Sequence, residues 1–345
     1  MLLNFLILSL LAVSGVLGFD CQQTPDSQIF NGNTVTIPGG DPQPIPPRYN
    51  CTYLIQVPSN ATDGLYARVQ LWNGLKGQND YILVTEMTTH QTTVNNQTML
   101  PNNTWTMFLI PGASMTIQVV TKSVLMNSMF SITVDYYAVK IRPTLSLKTG
   151  GEMNFVDVAT LRDNSSLFSC VTYTAGERVI ANLLNAGFDN MANCYIVDGA
   201  LDSINNIWSL GYVSPFSGSP IQTYSNFLTI VTFSDDSFQF VLNPASEAEP
   251  FKHLSASSVP ASKTFSQFNN DAQEYLNFNG TGIVMDDLKI MSNNCTAVVV
   301  SGPPNNYSQV LLDLSTNPPM PHFFNLQYFT VISNNCGFSI STRLP

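Results

Sequence analysis

Hydrophobic and polar positions alternate along much of this chain. In TYLIQV from Thr52, residues Tyr53, Ile55 and Val57 fall on one side and Leu54 and Gln56 on the other. Met115, Ile117 and Val119 alternate with Thr116 and Gln118. Phe130, Ile132, Val134 and Tyr136 alternate with Ser131, Thr133 and Asp135. A period of two with polar residues between marks strands in sheets that keep one wet face. Further strand signals lie in TVTIP from Thr34, YARVQL from Tyr66, DYILV from Asp80 and TWTMFLI from Thr104. Turn residues separate the runs: PGG at Pro38, PP at Pro46, NG at Asn73 and PG at Pro111. About seven short strands in ~120 residues predict a β-sandwich. Long helical patterns are absent, and one short helix or turn fits near Ala181–Asn185.

The first eighteen residues do not belong to this pattern. Leu2 to Leu17 is almost wholly apolar, with small residues at Ser14, Gly15 and Gly18. It reads as a secretory signal, cleaved near Gly18/Phe19. The alternative, a signal anchor, fits less well because the run is short for a bilayer and lacks a basic flank. No other stretch approaches ~18 apolar residues, and the ending GFSISTRLP is too polar for a lipid-anchor tail. The expectation is a secreted, extracellular protein with no stable membrane span after signal cleavage.

Two pauses divide the remainder. IRPTLSLK from Ile141 follows the last strand of the first run, and NPASEAEPF from Asn243 ends another. The expected organisation is a signal at 1–18 and β-sandwiches at 19–138, 144–245 and 251–345. The later pieces echo the first: CYIVDGALDS from Cys194 precedes YSNFLTIVTFSDDSFQF, and CTAVVVSG from Cys295 precedes FFNLQYFTVISNNCGFSI. This is weak internal repetition with a period near 100 residues, against the alternative of chance likeness among sandwich strands.

Composition adds the compartment and excludes some partners. Only 10% of residues are charged, against a usual ~25%, and Ser, Thr and Asn take their place. Eight glycosylation sequons are present, at Asn50, Asn60, Asn96, Asn102, Asn164, Asn279, Asn294 and Asn306. In a secreted chain each is a candidate for a hydrated cap, less so at Asn50 and Asn294, where cysteine fills the middle position. The net charge of −10 leaves no basic stripe for nucleic acid or for membrane surfaces. Cys21, Cys51, Cys170, Cys194, Cys295 and Cys336 are even in number, so disulfides are the default outside the cell. Six cysteines allow fifteen pairings, and sequential pairing keeps each bridge within one piece. Zinc is the weaker alternative, because no CxxC occurs and His90, His253 and His322 lie far from any cysteine cluster.

Catalytic signatures are missing. There is no GxSxG elbow, HExxH helix, Walker loop or GxGxxG. The three histidines read as loop residues rather than general bases. Asp235/Asp236 and Asp286/Asp287 are adjacent in sequence, which on a strand points them to opposite faces; a glycosidase needs facing carboxyls. No enzyme activity and no cofactor are therefore expected. Trp72, Trp105 and Trp208, with Tyr66, Tyr212 and Phe216, are candidates for stacking on sugars or anchoring a partner. Core packing is the commoner use, and Trp105 alternates with Met107 and Leu109 as a core residue would. Trp72, beside Asn73-Gly74, is the better exposed candidate.

Cys21, NGNTVTIPGG from Asn31, YNCTYLI from Tyr49, NDYILV from Asn79 and IPGASM followed by MNSMFSI occur in an order that resembles the CUB-like domains of secreted nematode proteins. The resemblance is close over residues 19–138. In the second piece YIVDG and SNFLTIVTFSDD resemble later CUB strands, and the third matches loosely. It implies an all-β fold of tandem CUB-like jelly-roll β-sandwiches, disulfide-stapled, with edge loops that recognise an extracellular protein or glycan ligand. It also implies a role in responses to microbes. Many CUB domains bind calcium through an early glutamate and two aspartates. Asp80 matches one aspartate, but VQLWNGLKGQ from Val69 has no carboxylate at the glutamate position. The second piece offers Asp198, Asp235/Asp236 and Asp189. So few carboxylates per site bind calcium weakly, and no metal site is expected; the alternative is aspartates that form turns. The sequence names no ligand. A structural component of an extracellular matrix or lumenal coat is the competing reading.

Overall fold

The computed structural model describes residues 19–345 except 20, 22, 40–41, 59–63, 89–92, 124–126, 139–142, 162–167, 185–192, 211–219, 234–238, 268, 293–295 and 306. The expected signal therefore lies outside the described residues. The chain divides into two compact units, Met1–Ile141 with Leu201–Tyr212, and Arg142–Ala200 with Val213–Pro345.

The first unit holds strands β1 (Thr34–Ile37), β2 (Asn50–Gln56), β3 (Leu65–Gly74), β4 (Tyr81–Thr88), β5 (Thr93–Met99), β6 (Thr104–Leu109), β7 (Ala113–Val120) and β8 (Met129–Ala138). Two four-stranded antiparallel sheets form, in the orders β1-β8-β3-β6 and β2-β7-β4-β5. The alternation in the sequence sets which face is buried: Phe130, Ile132, Val134 and Tyr136 on β8, Met115, Ile117 and Val119 on β7, and Cys51, Tyr53 and Ile55 on β2 all turn inward. Cys21 is bridged to Cys51, with the Cα atoms 5.3 Å apart. Closing a loop of this length stabilises by roughly 3.5 kcal/mol in the chain-entropy account. The Tyr49 hydroxyl donates to the Phe19 carbonyl at 2.9 Å, and the two rings meet edge to face.

Two local expectations are corrected. Asn73-Gly74 is not a turn: β3 runs through both residues, which stand opposite Phe130 and Met129. The buried Asn73 side chain caps this end internally, donating to the Met99 carbonyl and accepting from Leu75 N. And β5 has no signal in the hydrophobic pattern, since TVNNQTM has little apolar content; it ends the sheet order, paired with β4.

The second unit continues with β9 (Leu145–Ser146), β10 (Asn154–Asp157), β11 (Ser169–Thr174), β12 (Val179–Leu184), β13 (Cys194–Asp198), β15 (Ile221–Gln222), β16 (Phe227–Thr232) and β17 (Gln239–Pro244); β14 (Asn206–Ser209) falls in the first unit. Then come β18 (His253–Ser258), β19 (Ala261–Phe265), β20 (Asn270–Leu276), β21 (Ile283–Ile290), β22 (Thr296–Ser301), β23 (Val310–Asp313), β24 (His322–Phe324), β25 (Tyr328–Asn334) and β26 (Phe338–Arg343). Ala181–Leu184, where a helical turn was expected, is strand. One sheet has the order β10-β17-β12-β15 and another β19-β26-β21-β24. Both repeat β1-β8-β3-β6 with strand numbers advanced by nine and eighteen. Likewise β20-β25-β22-β23 repeats β2-β7-β4-β5, and β11-β16-β13 repeats β2-β7-β4. The chain is thus a tandem of β-sandwiches with one topology. The linker strands β9 and β18 add in parallel beside β11 and β20.

The register corrects one expected bridge. Cys170 lies opposite Val231 and Cys194 opposite Thr232, on strands that flank β16. Successive register positions put the two side chains on opposite faces, and two strand spacings of ~4.8 Å exceed disulfide reach. Cys170 and Cys194 are not joined to one another. Cys336 is disulfide-bonded, and Cys295 lies outside the described residues.

The two sandwiches of this unit share a buried seam. Ile180, Leu254 and Ala272 pack together at one end, and Leu184, Val241, Ala256, Leu276 and Tyr328 at the other. Between these apolar clusters sits Glu274, fully buried. Tyr328 Oη donates to it at 2.9 Å, and the amides of Asn243 and Asn182 donate at 3.3 Å each. Burial, only partly offset by these neutral donors, pushes the Glu274 carboxyl up to about 7.

A carboxyl that folding makes harder to ionise favours the folded state while it keeps its proton. Stability of this unit should therefore be greatest in acid and fall as pH rises from the ordinary carboxylate range to about 7. The loss from this one group should approach about 3 kcal/mol. Glu274→Gln preserves the shape and removes the titration. Denaturant melts of both proteins across that range should converge in acid and separate towards neutrality, with the variant the more stable.

Candidate functional site

One end of the first sandwich is organised by Asp80. The residue ends the β3–β4 loop, and its carboxylate is buried. Oδ1 accepts from Lys122 N at 2.8 Å, Ser123 N at 3.2 Å and Ser123 Oγ at 3.0 Å. Oδ2 accepts from Gly77 N and Ser128 Oγ, each at 3.1 Å. Ser128 Oγ in turn accepts from Lys76 N at 3.0 Å. Five donors on one carboxylate join the β3–β4 loop to the segment leading from β7 to β8. Burial raises the Asp80 pKa, but the bonds from Lys122 and Ser123 and from Ser128 outweigh it and hold the group below its ordinary value.

A third segment closes the edge. Tyr49 N donates to Thr121 Oγ at 2.9 Å, Thr121 N to the Tyr49 carbonyl at 2.8 Å, and Ile45 N to the Ser128 carbonyl at 2.9 Å. Gly77 is required here because a Cβ would overlap Ser123 Oγ and the Asp80 carboxylate. The edge presents Arg48, Lys76, Gln78, Asn79, Lys122 and Asn127 to solvent. Arg68, Lys148, Arg178, Lys289 and Arg343 are each paired with a carboxylate. Among the described residues, no ion pair engages Arg48, Lys76 or Lys122.

The aspartate expected at a calcium position thus serves the protein's own backbone. Asp198 is used in the same way at an end of the second sandwich. It accepts from Tyr224 N and Ser225 N at 3.0 Å each and from Ser225 Oγ at 2.6 Å, which anchors the connection from β15 to β16 that carries the exposed Tyr224. Asp189, Asp235 and Asp236 lie outside the described residues. Asp286 pairs with Arg343 and Asp287 with Lys289. A register shift between Met285 and Asp287 interrupts the simple alternation expected of neighbouring strand residues.

The remaining candidates scatter. His253 is exposed at the start of β18, His322 is half-buried against Phe324 on β24, and His90 lies outside the described residues. Trp72 is half-buried within β3 rather than raised on a turn, and Trp105 and Trp208 are half-buried as well. Tyr66 is buried against Tyr137; Tyr212 and Phe216 are not among the described residues. The sequon residues Asn50, Asn96, Asn102 and Asn279 are exposed, while Asn60, Asn164, Asn294 and Asn306 fall outside the described residues. The cations of the Asp80 edge had no sequence signal, being scattered singly over three loops.

Residues 16–140 match the family model of the CUB-like domain. The chain therefore carries a CUB-like domain, the module that holds the Asp80 edge. Among solved structures, the CUB1-EGF-CUB2 region of human MASP-1/3 is 13% identical, with 61% of this chain and 98% of that chain covered and a TM-score of 0.21. A triple jelly-roll turret structure of an archaeal virus is 11% identical, covering 88% of this chain and 83% of that one at a TM-score of 0.23. No curated protein matches the chain.

Asp80→Ala removes the acceptor of five bonds and should destabilise the first sandwich by about 3 kcal/mol, measured by denaturant melts. Because the folded group ionises more readily than the unfolded one, its contribution is present above the ordinary carboxylate range and lost as pH falls through the lowered value. The variant should lack that acid-side loss. Gly77→Ala should cost about 2 kcal/mol or more through overlap, with the loss localised to this edge by hydrogen exchange.

Proposed function

We propose that this is a secreted, glycosylated recognition or adhesion protein that acts in defence against microbes at an extracellular surface. It takes its ligand on the Asp80 edge of the CUB-like domain. The observation that carries the reading is that edge itself: a buried aspartate joins two loop segments, a third is bonded to one of them, and the solvent side shows amides and, among the described residues, cations with no ion pair. Loops held on a rigid sandwich are the usual seat of binding groups, and CUB domains generally bind extracellular ligands.

A structural role in a matrix or lumenal coat is the second reading. Low charge and the exposed sequon residues Asn50, Asn96, Asn102 and Asn279 favour it. Capture of microbial glycans or whole bacteria by the purified protein separates the two. Recognition requires saturable, competable capture, weakened severalfold by Gln78→Ala with Asn79→Ala while the melting curve is kept. Self-assembly with no captured ligand favours the structural reading. A defence role further requires that expression rise on microbial challenge.

A further inference from the structure

We propose that the Asp80 edge is a receptor for an anionic polysaccharide bearing sulfate or uronate groups, seated on Arg48, Lys76 and Lys122. The inference rests on reading this edge as a recognition surface and adds the chemistry of its ligand.

The cations are brought together by the fold. Asn50 is paired with Val120, and the mutual bonds of Tyr49 and Thr121 extend that ladder by one step. Arg48 and Lys122 are the next residues on the two chains. Both side chains are exposed, and among the described residues no carboxylate pairs with either. Lys76 joins through the same hub: its amide reaches Ser128 Oγ, which donates to the carboxylate that accepts from Lys122 N. Asp80 itself is enclosed by its five donors and offers no contact to solvent cations or to the three side chains.

Arg48 also carries a backbone cost. Its φ of 57° lies in the left-handed region, which a bulky residue enters at a penalty of order 1 kcal/mol or more. The neighbouring bonds hold it there, and such outliers collect at ligand-binding positions. In a chain of net charge −10, Arg68, Lys148, Arg178, Lys289 and Arg343 are each paired with a carboxylate, and three of the described cations that are not stand on this edge. Lys252 and Lys263, the other two without a carboxylate, lie in the second unit. The distant acidic surface does not cancel the local field, because screening acts over ~8 Å at physiological salt.

The rim favours a saccharide over an acidic peptide. Gln78, Asn79 and Asn127 are exposed, and each amide offers paired donors and an acceptor suited to hydroxyl groups. The ligand thus gains charge contacts at its acidic substituents and hydrogen bonds at its ring hydroxyls.

Immobilised heparin-class polysaccharide, polygalacturonate, neutral dextran and poly-glutamate test this directly on the full-length protein. Retention is expected on the first two, released by added salt, and absent on dextran. Arg48→Gly combined with Lys76→Gln and Lys122→Gln should weaken that retention at least about tenfold. Glycine accepts the left-handed backbone, and an unchanged melting curve verifies the fold. Lys252→Gln with Lys263→Gln should bind as the natural protein does. No retention on either acidic polysaccharide, or equal retention by the triple variant, overturns the proposal. Retention on poly-glutamate alone also overturns it, by making the partner an acidic protein. Capture of bacteria that survives the triple variant but is lost on changing Gln78 and Asn79 sinks the anionic ligand and leaves the recognition edge standing. Loss of neither leaves both without support.

Discussion

A carboxylate removed from water must be given hydrogen-bond donors or keep its proton, and this chain meets that demand in both ways. Asp80 and Asp198 take the first course. Each collects backbone amides and serine hydroxyls from a loop distant in sequence, which turns the acid into a clamp on loop geometry. Glu274 takes the second. It is surrounded by a phenol and two amides, none of them cationic, so burial raises its affinity for the proton. In a chain with so few charges, these buried acids determine how loop ends and sandwich faces meet.

The repeated strand order gives those clamps a common frame. Each sandwich threads its strands in the same sequence, so a residue at the end of one central strand meets the turn before or after its neighbour. Asp80 stands before β4 and Asp198 at the end of β13, the strand in the corresponding place. Their partners differ because the loops differ. The linker strand β18 joins the edge beside β20 and contributes Leu254 and Ala256 to the seam. That covers apolar surface which an isolated third sandwich would show to water, and it explains why the sandwiches expected as separate pieces form one compact unit.

Strands buried on one face were legible, since strict alternation at Phe130–Tyr136 and Met115–Val119 has one physical meaning. The polar edge strand Thr93–Met99 was not, because backbone pairing to β4 carries it and hydrophobic pattern plays little part. Asn73-Gly74 reads as a turn on local chemistry, yet pairing with β8 overrides that preference. The Cys170–Cys194 bridge failed for a reason invisible in spacing: register sets the face, and one step inverts it. Glu274 sits in NDAQEYL, whose polar residues resemble a wet strand. Only the docking of a second sheet buries them. The spacing marks Asp80 as an acid before a strand but not the five donors it collects, and Arg48, Lys76 and Lys122 are linked only through the ladder and hub that Asp80 completes.

That last point bears on what the edge recognises. Asp80 has turned its oxygens inward to five protein donors, and the exposed residues of the loops it fixes are cations and amides. The clamp and the surface are linked: the backbone amides of Lys76 and Lys122 point to the hub while their side chains lie at the solvent edge. With its carboxylate bonded to the loops, the edge shows cations and amides to solvent on a chain whose net charge is −10, so its local polarity is opposite to that of the whole.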